Sequence, residues 1–192
     1  KLDELFGWCI ELGIKELTLY TFSTENFKRA KNEINYLFGL FWKEFSKMKG
    51  KKGIFKYKIK VNVIGRIHMF PQKMQKAMKE AMQKTKNNKE LIVNFALAYG
   101  GRQEIVDAVN KILKNKKIGK IDENAITQNL YLKSEPDIVI RPGGEVRTSN
   151  FLTWQSIYSE WFFIDKLWPE FTKNDIKNII EEFNQRERRF GE

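Results

Sequence analysis

Three loops and one isolated carboxylate hold the side chains of this sequence that could do chemistry. The first loop, 22–29, reads Phe-Ser-Thr-Glu-Asn-Phe-Lys-Arg, placing two hydroxyls (Ser23, Thr24), a carboxylate (Glu25), a carboxamide (Asn26) and a guanidinium (Arg29) around Phe27. Such a set can grip a polar substrate or simply cap itself, and composition leaves both readings open. The second, Tyr99-Gly100-Gly101-Arg102-Gln103-Glu104, is a strand-turn-helix pattern whose helix start could hold an anion. It lacks the Gly-Lys-Ser/Thr of a P-loop and is not a full GxGxxG, so the glycine pair reads first as turn geometry. The third is richest: Arg141-Pro142-Gly143-Gly144-Glu145-Val146-Arg147-Thr148-Ser149-Asn150-Phe151. Two arginines flanking a Gly-Gly turn can converge on one anion, because guanidinium forks match phosphate oxygens and loop N–H groups can form an anion nest. The isolated carboxylate, Glu160, precedes the apolar Trp161-Phe162-Phe163. It suits either Mg²⁺, a hard cation that prefers carboxylate and phosphate oxygens, or an ordinary buried salt bridge.

These loops need strands and helices to position them. Apolar residues at helical spacing from Leu2 to Leu12 stop at Gly13, and 17–22 reads as a buried strand. A helix is expected over 33–48, apolar on more than one face. Strands follow at 57–64, 91–98, 137–140 and 160–164, with helices starting at Pro71 and covering 102–113, 123–132 and 174–189. Strands alternating with helices predict parallel βαβ units in one sheet, and ligands in such folds sit at the carboxyl ends of the strands, where all three loops fall. His68 has no second His or Cys near it, so a structural role is the default. The methionines at 74, 78 and 82 form a stripe that suits plain core or an apolar cavity.

The chain has 192 residues and a net charge of +11, with 42% hydrophobic residues, 15 Phe and 5 Trp. That composition excludes a disordered basic tail and predicts one domain able to bury roughly 70% of its unfolded surface. A single Cys excludes a disulfide framework and points to a reducing compartment. No apolar run approaches the roughly 18 residues of a membrane span. The charge calls for an anionic partner, but the aromatics do not interleave with Lys and Arg on one element, which argues against nucleic acid.

With these residues in view, the sequence resembles the cis-prenyltransferases, the undecaprenyl-diphosphate synthase family. The resemblance rests on LTLYTFSTENFKR (17–29), VNVIGR (61–66), VNFALAYGGRQEIVDAV (93–109), PDIVIRPGGEVRTSNFLTWQSIYSEWFFIDKLWPEF (136–171) and RERRFG (186–191). It implies a mostly parallel six-stranded sheet flanked by helices in a single domain over 1–192, a homodimer, and a hydrophobic tunnel for the growing chain. The implied activity is Mg²⁺-dependent condensation of isopentenyl diphosphate with an allylic diphosphate, farnesyl or geranylgeranyl, to a long-chain polyprenyl diphosphate. Arg141, Arg147, Thr148 and Ser149 correspond to the isopentenyl diphosphate contacts. Ser23, Thr24, Glu25, Phe27 and Arg29 correspond to supporting substrate contacts, Asn26 to a residue assisting proton removal, and Glu160 to a Mg²⁺ ligand. Arg189 and Gly191 match an RxG motif that reaches the partner subunit's site.

The sequence departs from the family pattern at three places. Ala30 replaces a proline, Val146 stands where some members carry His, and the family's DGNGRWA loop, with its Mg²⁺-holding Asp, would precede Lys1. Two other readings are a non-catalytic partner subunit of such an enzyme and a basic RNA-binding α/β protein. The expected location is cytoplasmic, with the lysine surplus favouring peripheral contact with anionic membrane surfaces.

Overall fold

The computed structural model describes residues 1–47, 57–114 and 120–186. Within this α/β domain they gather into two compact units, one of residues 2–133 and one of Lys1 with residues from Ser134 onward.

The larger unit is built on a three-stranded parallel sheet in the order β1-β3-β2, with β1 Glu16–Ser23, β2 Ile59–Ile64 and β3 Leu91–Tyr99. The middle strand β3 is buried along all but one of its residues, which is why it reads as an unbroken apolar run rather than an alternating one. Its one polar residue, Asn94, is fully buried and joins a ladder across all three strands. Asn62 Nδ2 donates to Asn94 Oδ1 at 2.9 Å, and Asn94 Nδ2 donates to Glu16 Oε1 at 2.7 Å and Thr18 Oγ1 at 3.1 Å. Thr18, Asn94 and Asn62 share one rung, so the ladder locks the register that a two-residue slip would otherwise permit.

Helices cover this sheet. The first, α1 (Leu2–Glu11), buries Leu5, Phe6 and Cys9 and ends at Gly13, whose φ of +74° suits glycine. Burial pushes the Cys9 thiol up to about 11. The second, α2 (Lys31–Lys47), buries Phe45 against Phe95 but leaves Tyr36, Leu40 and Trp42 exposed. The third, α3 (Gln72–Thr85), begins after Pro71 and buries Met74, Ala77, Met78, Ala81 and Thr85 on one face. Thr85 Oγ1 also accepts the Val61 N–H at 3.0 Å, tying the helix to β2. Two further helices, α4 (Gly101–Lys114) and α5 (Glu123–Asn129), pack on each other.

In the smaller unit, β4 (Ile138–Pro142) and β5 (Glu160–Ile164) pair in parallel, Ile138 opposite Glu160 and Arg141 opposite Phe163. The closing helix α6 (Lys173–Gln185) starts at a capping box between Thr172 and Asp175 and buries Ile176 and Ile179.

The parallel α/β architecture and the five strands read from the alternation of the sequence are both present, but the six-stranded single sheet implied by the resemblance is not. Among the described residues there are five strands, in ladders of three and two. Periodicity locates strands; it carries no information on which strand a given edge will meet, and that pairing decides the size of a sheet. Three boundaries also move. The helix expected over 123–132 ends at Asn129, because the N–H groups of Tyr131 and Leu132 turn to the Glu104 side chain. Arg141 and Pro142 belong to β4, not to the loop after it. The final helix ends at Gln185; Arg189 and Gly191 lie outside the described residues. No helix among the described residues is long and apolar enough to cross a membrane.

Candidate active-site loops

The first loop leaves β1 and forms a short 3-10 turn, Thr24–Lys28. Ser23 Oγ accepts the Asn26 N–H at 3.2 Å while Asn26 Oδ1 accepts the Ser23 N–H at 2.9 Å, a reciprocal cap that sets the shape of the loop. The self-capping reading therefore holds for these two residues. It does not exhaust them: Oδ1 of Asn26 is engaged, but no hydrogen bond is recorded from its Nδ2 among the described residues. Thr24 Oγ1 donates to Glu25 Oε2 at 3.0 Å, and Arg29 pairs with Glu33 at 2.7 Å, both guanidinium and carboxylate about half exposed. A pair that open contributes little to stability and yields its guanidinium readily to an incoming anion. Phe27 points the other way. Its ring lies 5.0 Å from Phe22 and about 6 Å from Phe38 and Phe70, so it anchors the loop in an aromatic cluster with α2 and the turn before α3. Beneath the loop the Tyr20 phenol is pushed up to about 12, chiefly by burial and also by the nearby Glu25 carboxylate.

The second loop is structural. Glu104, in the first turn of α4, is 1% exposed and accepts the Tyr99 hydroxyl together with the N–H groups of Tyr131 at 2.7 Å and Leu132 at 3.1 Å. The helix start that might have held a ligand is thus filled by the helix's own acid. Beside it Arg66, at the carboxyl end of β2, forks onto Asp107 with contacts of 2.8 and 2.9 Å, and the Tyr131 hydroxyl donates to the same carboxylate. The Arg66 guanidinium is the largest influence holding the Asp107 carboxyl below the usual carboxylate range; burial opposes it. Neither network was visible in the sequence, since Arg66 and Asp107 are 41 residues apart and Glu104 and Tyr131 are 27 apart. The one available signal was a run of Gly-Arg and Tyr-Gly-Gly-Arg at adjacent strand ends.

The third loop belongs to the smaller unit and starts on the last rungs of β4. Arg141 Nη1 donates to the Arg147 carbonyl at 2.5 Å and to Ser149 Oγ at 2.7 Å, drawing Arg141, Arg147 and Ser149 into one cluster. Gly143 and Gly144, at φ +106° and +73°, let the chain double back so that both N–H groups reach the Ile164 carbonyl at 3.0 Å. Ser149, Asn150 and Leu152 also hold positive φ, a concentration of costly backbone that marks functional turns more often than ordinary ones. Arg147 pairs with Glu145 at 2.6 Å in a largely exposed contact, and Thr148, the next residue, is exposed.

Glu160 opens β5 in the same unit. Its Oε2 accepts Arg186 Nη1 at 2.5 Å, and Arg186 also pairs with Glu182 and lies 4.5 Å over the Phe162 ring. Glu160 therefore forms a salt bridge, but a part-exposed one and not the buried pair expected from the sequence. A metal role remains compatible with the chemistry: Mg²⁺ is usually held by one or two carboxylates, with substrate phosphates and water completing the shell. Among the described residues no three His, Cys, Asp or Glu side chains group into a metal site, so an all-protein cage is not present there.

With this geometry in place, comparison with known proteins is direct. The family model described as "Putative undecaprenyl diphosphate synthase" matches residues 1–191. A tritrans,polycis-undecaprenyl-diphosphate synthase (geranylgeranyl-diphosphate specific) of Pyrococcus horikoshii is 50% identical over 198 residues, covering 100% of this chain and 75% of the relative. An isoprenyl transferase of Thermotoga maritima is 44% identical, covering 99% and 83%. Among solved structures, one described as a probable undecaprenyl diphosphate synthase from Campylobacter jejuni superposes with a TM-score of 0.92 at 37% identity, over 100% of this chain and 90% of that one. A lavandulyl diphosphate synthase from Lavandula x intermedia, in complex with dimethylallyl diphosphate, gives 0.91 at 33% identity, over 99% and 84%. Matched along essentially its whole length by the family model and by these relatives, the chain belongs to the undecaprenyl diphosphate synthase family of cis-prenyltransferases.

Proposed function

We propose that this chain elongates an allylic diphosphate with isopentenyl diphosphate units in cis geometry, giving a long-chain polyprenyl diphosphate that serves as a lipid-carrier precursor. The observation that carries the reading is the Arg141–Arg147–Ser149 cluster, lying in a family match that spans residues 1–191. The names of the archaeal relatives favour geranylgeranyl diphosphate as the primer.

Each turn of the reaction breaks the bond between the allylic carbon and its diphosphate. A carbon–carbon bond forms to the terminal alkene carbon of isopentenyl diphosphate, the double bond shifts inward by one position, and the proton lost from the methylene carbon two atoms away passes to the released diphosphate or to water. Arg141 and Arg147 hold the isopentenyl diphosphate, the first by a fork already oriented through Ser149 and the Arg147 carbonyl. Thr148 and Ser149 add hydroxyl donors; in the first loop Arg29 is a supporting substrate contact whose guanidinium Glu33 holds loosely. Ser23 shapes the first loop, and Thr24, Glu25 and Phe27 support its substrate contacts. Asn26 assists proton removal by orientation, since a carboxamide is too weak a base to keep the proton. Glu160 is the residue that would hold Mg²⁺, whose charge stabilises diphosphate as a leaving group. The Met-lined α3 and the widely apolar α2 wall the space for the growing product.

The working assembly is a homodimer to which Arg189 and Gly191 of the RxG motif contribute, with peripheral contact to anionic membranes. Sedimentation of the full chain tests the first and vesicle flotation the second. The function itself is tested by incubating the purified full chain with labelled isopentenyl diphosphate, geranylgeranyl or farnesyl diphosphate, and Mg²⁺. Chain-length-resolved polyprenyl products, abolished by chelation, support it. A folded protein that makes none, but restores activity to an added relative, would favour a non-catalytic partner subunit.

A further inference from the structure

A basic pocket lies at the edge of the larger sheet. It has a volume of about 310 Å³ and is lined by Lys60 and Asn62 of β2 and by Lys79, Met82, Gln83 and Lys86 at the end of α3. Lys60 is five residues before Gly65, which at about 3.3 Å per strand residue places it about 16 Å from the carboxyl end of β2 where Arg66 stands. Among the described residues, none of the three lysine ammonium groups has an ion-pair or hydrogen-bond partner, and no carboxylate lines the pocket. Three lysines and two carboxamides thus line one concavity.

The pocket also has a fixed polar floor. Asn62 is held by the fully buried Asn94, itself bound to Glu16 and Thr18, so one carboxamide N–H of Asn62 is committed inward and the group is oriented. The α3 carbonyl end brings an opposing partial charge of roughly half an electron, which three ammonium groups outweigh several-fold. The net field favours a compact polyanion, and carboxamide donors beside ammonium groups suit phosphoryl oxygens.

We propose that this pocket is a second, non-catalytic site for phosphate-type polyanions, supplied either as free diphosphate or as a phosphate head group of a lipid. The site is independent of the catalytic reading and holds whether or not the loops bind substrate.

The test uses the full chain carrying Arg141→Ala and Arg147→Ala, so that the third loop does not contribute, in metal-free buffer at low salt. Inorganic diphosphate is titrated by calorimetry, and phosphatidylcholine vesicles with and without phosphatidic acid are tested by flotation. Two triple variants are compared: Lys60→Gln/Lys79→Gln/Lys86→Gln at the pocket, and Lys43→Gln/Lys89→Gln/Lys120→Gln as a charge-matched control at exposed sites elsewhere. The pocket variant is expected to weaken binding about tenfold or more while the control changes it by less than about threefold, since screened surface charge acts weakly at a distance. A loss confined to diphosphate assigns the free polyanion, and a loss confined to vesicles assigns the head group; either supports the site. Equal effects of both triple variants in both assays overturn it. Lys79→Glu alone, on the exposed helix surface, must weaken binding in the same direction; unchanged binding in this single variant also overturns the proposal.

Discussion

Replacing Glu104 gives the sharpest test of how this fold holds its strand ends. In Glu104→Ala three donors lose their acceptor together: the Tyr99 hydroxyl and the N–H groups of Tyr131 and Leu132. Tyr99 is fully buried and Leu132 nearly so, which leaves water few routes to replace the lost bonds. Each stranded buried donor costs about 1–3 kcal/mol. A water entering the vacated space can satisfy some of them, so the sum should fall near the low end, about 3–5 kcal/mol. Set against a typical total stability of about 5–15 kcal/mol, that is a large fraction. Glu104→Gln keeps one carbonyl oxygen for the two backbone N–H groups and disturbs only the Tyr99 contact, so it should cost about 1–2 kcal/mol. Urea unfolding of the two variants measures both, and amide exchange at Tyr131 and Leu132 should speed up more in the Ala variant. A cost below about 1 kcal/mol for Ala, or equal costs for both substitutions, would refute the assignment of Glu104 as the shared acceptor.

Gly65→Ala should be more damaging than a surface change. The added Cβ would meet the Leu97 carbonyl oxygen at 2.2 Å at a residue with φ +112°, and a loss of about 3 kcal/mol or more is expected in urea melts. Asp107 predicts an acid sensitivity. Its folded-state pKa is depressed, mainly by Arg66, so its contribution is fully present above the unfolded carboxylate value near 3.9 and is lost as pH falls through the lower folded value. Asp107→Asn should therefore flatten the acid limb of the stability profile below about pH 4, and an unaltered limb in that variant would contradict the pairing. At the third loop, Arg141→Ala and Arg147→Ala should each raise the KM for isopentenyl diphosphate by about tenfold to a hundredfold with the fold intact by circular dichroism, as expected for loss of a charge-assisted phosphate contact. Glu160→Gln should shift the Mg²⁺ dependence of activity to higher concentration, measured as a titration at saturating substrate; an unshifted titration would remove Glu160 from the metal assignment.

Much of this molecule was legible from local pattern. The run 91–98 reads as a buried strand because every side chain there meets protein on one face or the other, and β3 occupies Leu91–Tyr99 at the centre of its sheet. The Met stripe reads as core, and Met74 and Met78 are buried. The concentration of Arg, Gly and Ser between 141 and 149 marked a cluster that Arg141 draws together in space. What was not legible depends on contacts distant in sequence. Phe27 sits among substrate-type residues, yet its ring is taken by Phe22, Phe38 and Phe70. Glu104 carries no signal of its role in the sequence, because Tyr131 and Leu132 reach it from beyond α5. The number of strands per sheet failed for the same reason, since it is settled by which edges meet.

The central claim is that this chain is a cis-prenyl elongating enzyme, and product analysis tests it most directly. The purified full chain, labelled isopentenyl diphosphate, geranylgeranyl diphosphate and Mg²⁺ should yield a ladder of polyprenyl diphosphates whose newly added units are cis by NMR. An Arg141→Ala/Arg147→Ala double variant should lose that ladder at low isopentenyl diphosphate and regain part of it at high concentration. Trans-configured products, or a ladder indifferent to both arginines at every substrate concentration, would contradict the account.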